Sequence, residues 1–239
     1  MIRHFRRAAL LVLPVLALPV LIAAAPAPRG LPTSTPVRDW NHPLTITPGG
    51  GHLLGNPAAR IKLTEYVSYT CPHCARFETE AELPLRLGFV ANGSTSVEVR
   101  HLVRDPVDLT VAMLTNCGPK EKFFLNHSAL MRGQDAWMAP LVNASPARQA
   151  RWNSGTALVR RRAIAADFGL YSIMARRGYD RTTADRCLAD EALAKRLADQ
   201  TAAAAAAGID STPSFAIGDI VLAGTHSWDL LQPQLRARL

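Results

Sequence analysis

The clearest pattern in the chain is an alternation of apolar and polar residues over residues 61–69. Every second position of this stretch, apart from Glu65, is apolar or aromatic, as in a β-strand with one buried face. A second apolar run predicts another strand at residues 97–103. Between these two strands, apolar residues recur at helical spacing over residues 74–90 and predict a helix. Pro84 is expected to kink this helix. Strand, helix and strand within about 45 residues predict a βαβ unit with parallel strands.

A long helical region follows this unit. Helices are predicted at residues 107–116, 120–132, 146–168 and 183–207, with loops at residues 133–144 and 169–181. Strand signals return after Gly208, where residues 214–223 predict a hairpin around a Gly218-Asp219 turn and residues 228–239 a final amphipathic helix. With a short edge strand at residues 44–47, the expected fold class is α/β, in the order β-α-β and β-β-α with an all-helical insertion between the two halves.

The first 43 residues are patterned unlike the rest of the chain. Three arginines precede an uncharged stretch that ends in small residues, which predicts a secretory signal peptide over residues 1–25. The uncharged stretch is also about as long as a bilayer-spanning helix, so a retained membrane anchor is the alternative. The Pro-, Thr- and Gly-rich residues 26–43 are interpreted as a tether. The expected domain then consists of residues 44–105, the helical insertion at residues 106–207, and residues 208–239.

Charge and composition exclude some partners. The formal net charge is +8, but the basic runs at residues 160–162 and 176–177 have no aromatic residues interleaved for stacking on bases. We interpret these runs as solvated helix faces and expect no nucleic acid partner. No glycine-rich nucleotide motif and no Ser/His/Asp spacing is evident, and no cofactor is expected. His127 and His226 are expected to be helix-surface or capping residues.

Two cysteines separated by two residues carry the most specific chemical signal. The sequence Cys71-Pro72-His73-Cys74 follows the first strand and opens the first helix, so the first thiol should lie at a helix N-terminus. Backbone N–H groups and the helix dipole stabilise a thiolate there. The ring of His73 can also donate to that sulfur, and Pro72 removes one amide donor and fixes φ. The pattern predicts an acidic, reactive thiol at Cys71 and a more buried thiol at Cys74.

Glu65 and the two remaining cysteines complete the candidate residues. Glu65 faces the apolar side of the first strand, where it is paired, protonated because desolvation raises its pKa, or solvated at an open strand end. Close to the cysteines, it could accept or relay the proton of Cys74. Cys117 and Cys187 lie in the helical region, outside any C-x-x-C motif. For an exported protein in an oxidising compartment we interpret them as a structural disulfide, with two free buried thiols as the alternative.

Three motifs resemble the DsbA-type family of periplasmic thiol:disulfide oxidoreductases, which have a thioredoxin fold with a helical insertion. They are the Cys71-Pro72-His73-Cys74 sequence after a strand, Glu65 six residues before the first cysteine, and the Ser211-Thr212-Pro213-Ser214-Phe215 segment before the hairpin. The resemblance covers residues 44–239. It implies a cis peptide bond before Pro213, with this proline lying against the active-site disulfide.

The resemblance also implies a function. The Cys71–Cys74 disulfide would be donated to unfolded or reduced exported proteins in the periplasm through a mixed disulfide, and a quinone-linked membrane reoxidase of the DsbB type would regenerate it. No metal or cofactor would be needed, and we expect a monomer. The Pro-His pair between the cysteines favours an oxidant. Thr212, however, stands where the best-known oxidants have an aliphatic residue, and threonine is familiar there from disulfide isomerases.

Two alternatives remain open. A periplasmic isomerase or reductant would use the same residues, although residues 26–43 are too short for the separate dimerisation domain of those isomerases. A metal-binding module could use Cys71 and Cys74 with His73 or His101, since C-x-x-C is also a ligand pair for zinc or copper. A closed zinc site usually needs a second pair of the same kind, which the two remaining cysteines do not form.

Overall fold

The computed structural model describes residues 39–42 and 44–239. The predicted signal peptide and most of the predicted tether lie outside the described residues, and the boundaries assigned to the parts of the domain stay a prediction. Within the described residues, no helix is long and apolar enough to cross a bilayer.

A six-stranded mixed sheet forms the centre of the fold. Its strands are β1 (Leu44–Ile46), β2 (His52–Gly55), β3 (Ile61–Val67), β4 (Thr95–His101), β5 (Ser214–Ile217) and β6 (Ile220–Val221). Across the sheet they lie in the order β1-β2-β4-β3-β5-β6. β3 and β4 are parallel, with Leu63 opposite Val97, and β5 is antiparallel to β3 on its other side. The predicted βαβ unit, hairpin and edge strand are confirmed.

β2 is the strand that the sequence pattern does not predict. It has only 4 residues and follows a run of glycines, so no alternation is visible. It pairs antiparallel with β4, and this partner decides its place in the sheet. Gly55 ends the strand with φ of 105°, where a Cβ atom would lie 3.0 Å from the carbonyl oxygen of Thr95. Glycine is therefore required at this close approach of two strands.

The first helix, α1 (Pro72–Leu85), begins directly after Cys71 and connects β3 to β4. The prediction of one α-helix over residues 74–90 is wrong at its end, because Arg86–Val90 forms a π-helical turn soon after Pro84. Pro84 has no N–H for the regular pattern. In the π turn the backbone N–H groups bond to carbonyl oxygens five residues earlier. The N–H of Ala91, for example, donates to the carbonyl oxygen of Arg86 at 2.8 Å.

The region between β4 and β5 is helical. It contains a 3₁₀ turn at Lys120–Lys122 and the helices α2 (Pro106–Thr115), α3 (Phe123–Arg132), α4 (Gln134–Met138), α5 (Pro140–Asn143), α6 (Pro146–Asn153), α7 (Ala157–Asp167), α8 (Leu170–Arg176), α9 (Arg181–Leu188) and α10 (Glu191–Ala206). A last helix, α11 (Trp228–Arg236), follows the hairpin. The α/β fold with an all-helical insertion between the two halves is confirmed.

Details of the insertion differ from the prediction. The two predicted loops contain α4, α5 and α8, whose buried side chains include Trp137 and Met174. These helices are too short for a helical period to show in the sequence. The two longest predicted helices are each divided in two, because the side chains of Thr156 and Asp190 accept backbone N–H groups and so cap a new helix in the middle of each.

Two hydrophobic clusters meet along β3. Leu63 packs in a cluster with residues of α1 and α11. Val67 packs in a second cluster with the helices of the insertion. Residues two apart in a strand face the same side of a sheet, so Glu65, between them, lies where the two clusters meet.

The expectation that His127 lies at the helix surface is wrong, because its residue surface is only 2% exposed. His127 lies four residues after Phe123 and four before Met131, and both of these are buried on the same face of α3. This spacing is that of the buried stripe of an amphipathic helix. His226 is exposed, in the loop before α11.

Cys117 and Cys187 are joined by a disulfide, with their Cα atoms 5.5 Å apart and a sequence separation of 70. The bond connects the segment after α2 to α9. It therefore joins a helix and a loop of the same insertion.

We expect removal of this disulfide to lower the free energy of unfolding by roughly 4 kcal/mol, because a cross-link over a long loop restricts the unfolded chain. Urea unfolding of Cys117→Ala/Cys187→Ala measures this loss. Both proteins should carry Cys71→Ala and Cys74→Ala, so that only one disulfide differs, and under reducing conditions the difference should disappear. Alkylation of both Cys117 and Cys187 in denatured, unreduced protein would show that they are not paired.

Candidate active site

Cys71 is the N-cap residue of α1. Its carbonyl oxygen accepts hydrogen bonds from the backbone N–H groups of Cys74 (3.1 Å) and Ala75 (3.3 Å). No side-chain hydrogen bond caps this helix, and the backbone N–H groups of His73 and Cys74 act on the sulfur. Both Cys71 and Cys74 are free thiols in this structure. The first thiol is thus placed where backbone groups stabilise a thiolate.

The pKa of Cys71 is lowered from 9.0 to about 5. The thiol of Cys74 contributes most, because it donates a hydrogen bond to the thiolate. Burial opposes this effect, while the side chain of Thr212 and the backbone N–H groups of Cys74 and His73 add to it. The acidity of Cys71 therefore arises from several donors that converge on one sulfur.

The loop before β5 packs on Cys71. Its Thr212–Pro213 peptide bond is cis, and the Cys71 thiol donates to the carbonyl oxygen of Thr212 at 3.1 Å. The hydroxyl of Thr212 is buried without a hydrogen-bond partner among the described residues, so it is free to donate to the sulfur once Cys71 ionises. His226 holds the same loop, because its Nδ1–H donates to the carbonyl oxygen of Pro213 at 2.7 Å.

Cys74 and Glu65 are both buried, and they are coupled electrostatically. The pKa of Cys74 is raised well above 9.0, first by burial and then by its hydrogen bond to Cys71, and the charge of Glu65 adds to the rise. Glu65 is 5% exposed, so it is buried rather than solvated. Burial raises the pKa of Glu65 to about 7, His127 acts against this rise, and Glu78 adds to it.

The insertion holds the segment that leads into Cys71 through Asp108 of α2. This fully buried carboxylate accepts hydrogen bonds from the hydroxyl of Ser68 (2.7 Å), the backbone N–H of Tyr69 (2.7 Å) and the backbone N–H of Arg104 (3.0 Å). Burial raises the pKa of Asp108 to about 6, although these three donors favour the carboxylate. Sequence reasoning missed Asp108, although a single carboxylate inside an otherwise apolar helix is a visible signal.

Gln134 of α4 binds the same segment from another side. Its side-chain N–H₂ group donates to the carbonyl oxygens of Tyr69 (2.7 Å) and Cys71 (3.0 Å). Thr70, between these two, donates its hydroxyl to Asp105 at 2.7 Å and accepts at its carbonyl oxygen from Arg104 at 2.9 Å. Sequence reasoning missed Gln134 as well, because it falls in a segment predicted to be a loop.

The remaining candidates lie at the edge of the site. Pro72 is the first residue of α1, and both Pro72 and His73 are exposed. Within the described residues the ring of His73 makes no hydrogen bond to Cys71, and the backbone N–H of His73 is the group that acts on the sulfur. A role for the ring stays a prediction. In residues 39–42 and 44–239 no three His, Cys, Asp or Glu side chains are arranged to hold a metal ion.

Comparison with known proteins agrees with this fold. The thioredoxin family profile matches residues 47–237. The solved structure of a protein-disulfide isomerase from Novosphingobium aromaticivorans is 54% identical, with a TM-score of 0.77 over 79% of this chain and 97% of that chain. The protein belongs to the thioredoxin-like family.

More distant relatives point to the same group. α-DsbA1 of Wolbachia pipientis has the same fold, with 22% identity and a TM-score of 0.63 over 78% of this chain and 89% of that one. A curated protein of Rickettsia bellii, named a putative protein-disulfide oxidoreductase, is 30% identical over 86 residues. The chain spans about a third of the length of the curated relatives it matches, 33% for this one. The comparison with the Wolbachia protein shows a shared fold.

We expect the Cys71 thiol of the reduced protein to titrate with a midpoint of about 5, which thiolate absorbance measures. Thr212→Val should raise this midpoint by roughly one to two pH units, because valine keeps the shape and removes a donor to a charged group. His73→Ala retains the backbone N–H and should raise it less. A midpoint near ~8.5, the value of an unperturbed thiol, or an unchanged midpoint in Thr212→Val would contradict this account of the site.

Glu65 should make stability depend on pH. Its folded pKa of about 7 lies above the ordinary glutamate value of 4.5, so the stability it contributes is fully present below pH ~4.5 and is lost as the pH rises through ~7. The loss should be on the order of 3 kcal/mol. Urea unfolding should be measured on the oxidised protein, in which the cysteines do not titrate. Relative to the parent, the free energy of unfolding of Glu65→Gln should increase by this loss as the pH rises from ~4.5 through ~7. Glu121→Gln, an exposed substitution of the same kind, is the control, and a constant difference between Glu65→Gln and the parent would refute the prediction.

Proposed function

We propose that the protein is a disulfide-forming thiol:disulfide oxidoreductase, which donates the Cys71–Cys74 disulfide to reduced exported proteins. The observation that carries this proposal is the contrast between the two thiols, since the pKa of Cys71 is lowered to about 5 and that of Cys74 is raised well above 9.0. Groups that stabilise the Cys71 thiolate stabilise the reduced protein. They therefore favour transfer of the disulfide to a substrate.

The proposed reaction has two exchange steps. A substrate thiolate attacks Sγ of Cys71, a mixed disulfide forms, the Cys71–Cys74 bond breaks, and Cys74 leaves with the electron pair. The second substrate thiolate then attacks the substrate sulfur of the mixed disulfide, and Cys71 leaves as a thiolate. The substrate loses two electrons, which the Cys71–Cys74 pair gains. Cys71 is the better leaving group of the pair because a low thiol pKa speeds departure.

Glu65 is proposed to supply the proton that Cys74 needs. Cys74 leaves as a thiolate in a buried site that strongly favours the thiol. Glu65 is electrostatically coupled to Cys74, and its pKa of about 7 leaves a large fraction of the carboxyl protonated near neutral pH. Proton transfer from Glu65 to Cys74 would remove a buried charge from the leaving sulfur and make reversal of the first step slower.

Thr212 does not weigh against an oxidant on physical grounds. Its hydroxyl is buried without a hydrogen-bond partner among the described residues, and it contributes to the low pKa of Cys71. A donor that stabilises the thiolate stabilises the reduced form. The Thr212 side chain therefore makes the disulfide more oxidising than an aliphatic side chain of the same shape would.

A disulfide isomerase or reductant is the second candidate. It is favoured by the relative from Novosphingobium aromaticivorans, which is described as a protein-disulfide isomerase and is 54% identical. Both candidates use the same exchange chemistry, and they differ in which redox form is present in the cell. For the first candidate, the oxidant, we propose that the substrates are reduced exported proteins and that the location is the periplasm. We also propose that a membrane protein of the DsbB type reoxidises it.

Oxidised protein should oxidise a reduced, unfolded two-cysteine peptide in a one-to-one reaction without another oxidant. Equilibration with glutathione buffers should give a reduction potential closer to about −120 mV than to about −270 mV, the values of a strong oxidant and of a reductant. Cys74→Ala should instead accumulate a mixed disulfide with oxidised peptide, seen by mass spectrometry, and Cys71→Ala should not. A potential near about −270 mV would favour the reductant.

A further inference from the structure

A cavity of about 40 Å³ lies at the junction of the two hydrophobic clusters, between β3, α1 and α3. Five titratable or charged side chains line it among apolar residues: Glu65, Glu78, Glu82, Arg86 and His127. A cavity of this volume with polar groups in its wall is large enough for one or more water molecules. Glu65 and His127 are buried, whereas Glu82 and Arg86 are partly exposed and form an ion pair at 3.1 Å. The cavity therefore connects the buried carboxyl with the protein surface.

Hydrogen bonds fix the orientation of the His127 ring. When the ring is an imidazolium, both of its nitrogens carry a proton and donate. Nδ1–H of His127 then donates to the phenol oxygen of Tyr69, 2.9 Å away. Nε2–H lies on the other side of the ring.

Nε2 of His127 faces the buried carboxylate of Glu78. It lies 3.6 Å from Oε2 of Glu78. Oε1 of Glu78 has no hydrogen bond among the described residues, and its nearest cation is Nε of Arg132 at 3.9 Å. A proton on Nε2 places a cation against Glu78 and in the same cavity as Glu65. Two buried carboxyl groups thus share one buried imidazolium.

The surroundings of His127 favour this cation. Burial lowers the pKa of His127, but Glu78, Glu65 and Glu82 outweigh it and the pKa is raised from 6.5. Two neighbouring histidines are expected to be neutral, because burial lowers their pKa to about 4 and about 3. The titratable and charged groups that face His127 are His52 from β2, Glu65 and Tyr69 near β3, His101 from β4, Glu78 and Glu82 from α1, Arg86 from the π turn, Arg132 from α3 and, through Tyr69, Asp108 from α2.

We propose that His127 is a positioning residue of the redox site: its buried, cationic ring, held by Tyr69 and Glu78, controls the proton that Glu65 exchanges with Cys74. The proposal rests on the proposed role of Glu65 in the disulfide exchange. When Cys74 leaves as a thiolate, the Glu65 carboxyl gives it a proton and becomes a carboxylate, which the imidazolium of His127 stabilises. A proton from solvent then returns to Glu65 through the cavity, past Glu82.

The test is the protonation of Glu65 in variants of His127. The carboxyl band of Glu65, assigned by its loss in Glu65→Gln, is followed against pH by infrared spectroscopy. Its midpoint should rise by about one pH unit in His127→Gln, because a nearby opposite charge lowers a carboxyl pKa by this order. His127→Lys restores a cation and should return the midpoint toward that of the parent. The pH profile of the Cys74 exchange rate should move with it.

Controls separate this effect from damage to the fold. His42→Gln, at a histidine whose side chain is 83% exposed, should leave the midpoint of Glu65 unchanged. Tyr69→Phe keeps the His127 ring and removes the acceptor of Nδ1–H, so it should raise the midpoint in the same direction even if His127→Gln does not fold. A midpoint that is equal in the parent, His127→Gln and Tyr69→Phe would overturn the proposal.

The same experiment distinguishes this proposal from the proposed function. The infrared midpoint is measured on the protein alone, so it reports on the His127–Glu65 interaction whether or not the protein oxidises a peptide. A shifted midpoint with no disulfide transfer by the parent would reject the oxidant function and keep the electrostatic control of Glu65. Disulfide transfer by the parent with an unshifted midpoint would keep the oxidant function and reject the electrostatic control of Glu65. The Cys71 thiolate midpoint should be unchanged in His127→Gln, because the ring acts on Glu65.

Discussion

Residues 68–71 have no regular secondary structure of their own, and side chains from the insertion satisfy their polar groups. Asp108 accepts from Ser68 and Tyr69, and Gln134 donates to the carbonyl oxygens of Tyr69 and Cys71. Buried backbone groups must find partners somewhere, and here they find them on helices that arrive much later in the chain. These bonds determine where α1 begins. The position of the Cys71 sulfur relative to the helix amides and to Thr212 follows from that starting point.

The chemistry of the pair follows from unequal surroundings. Cys71 lies among donors, at a helix N-terminus and against the cis-proline loop, and these donors lower its pKa. Cys74 lies one turn deeper, where burial raises its pKa. Because of this difference, the sulfur of Cys71 is the better leaving group, whereas Cys74 strongly favours the protonated thiol.

Glu65 occupies a boundary in the packing. One face of β3 is shared between a cluster with α1 and α11 and a cluster with the insertion, and Glu65 lies between Leu63 and Val67 where the two meet. A carboxyl group at such a junction lies beside a cavity that apolar side chains do not fill, together with Glu78 and His127. Burial raises the pKa of Glu65 into the range where it can exchange a proton near neutral pH.

Local patterns in the sequence determined much of the fold. The alternation in β3, the turn at Gly218 and the Cys71-Pro72-His73-Cys74 motif at a strand-to-helix junction depend on near neighbours, so they could be predicted. Short elements such as β2 and α4 could not, because their place depends on partners distant in the chain, and the caps at Thr156 and Asp190 were hidden in longer helical patterns.

Only the tertiary structure decided which side chains meet at the site. The contacts of Asp108, Gln134, His127 and Thr212 with the Cys71 region join segments separated by tens to more than a hundred residues, as in the 141 residues between Cys71 and Thr212. No local period encodes such contacts. The sequence determined that a reactive thiol stands at a helix N-terminus, because that depends on a strand, a turn and a helix in succession. The tertiary structure decided how acidic that thiol is and which carboxyl group lies near its partner, because pKa values depend on burial and on charges brought together by the fold.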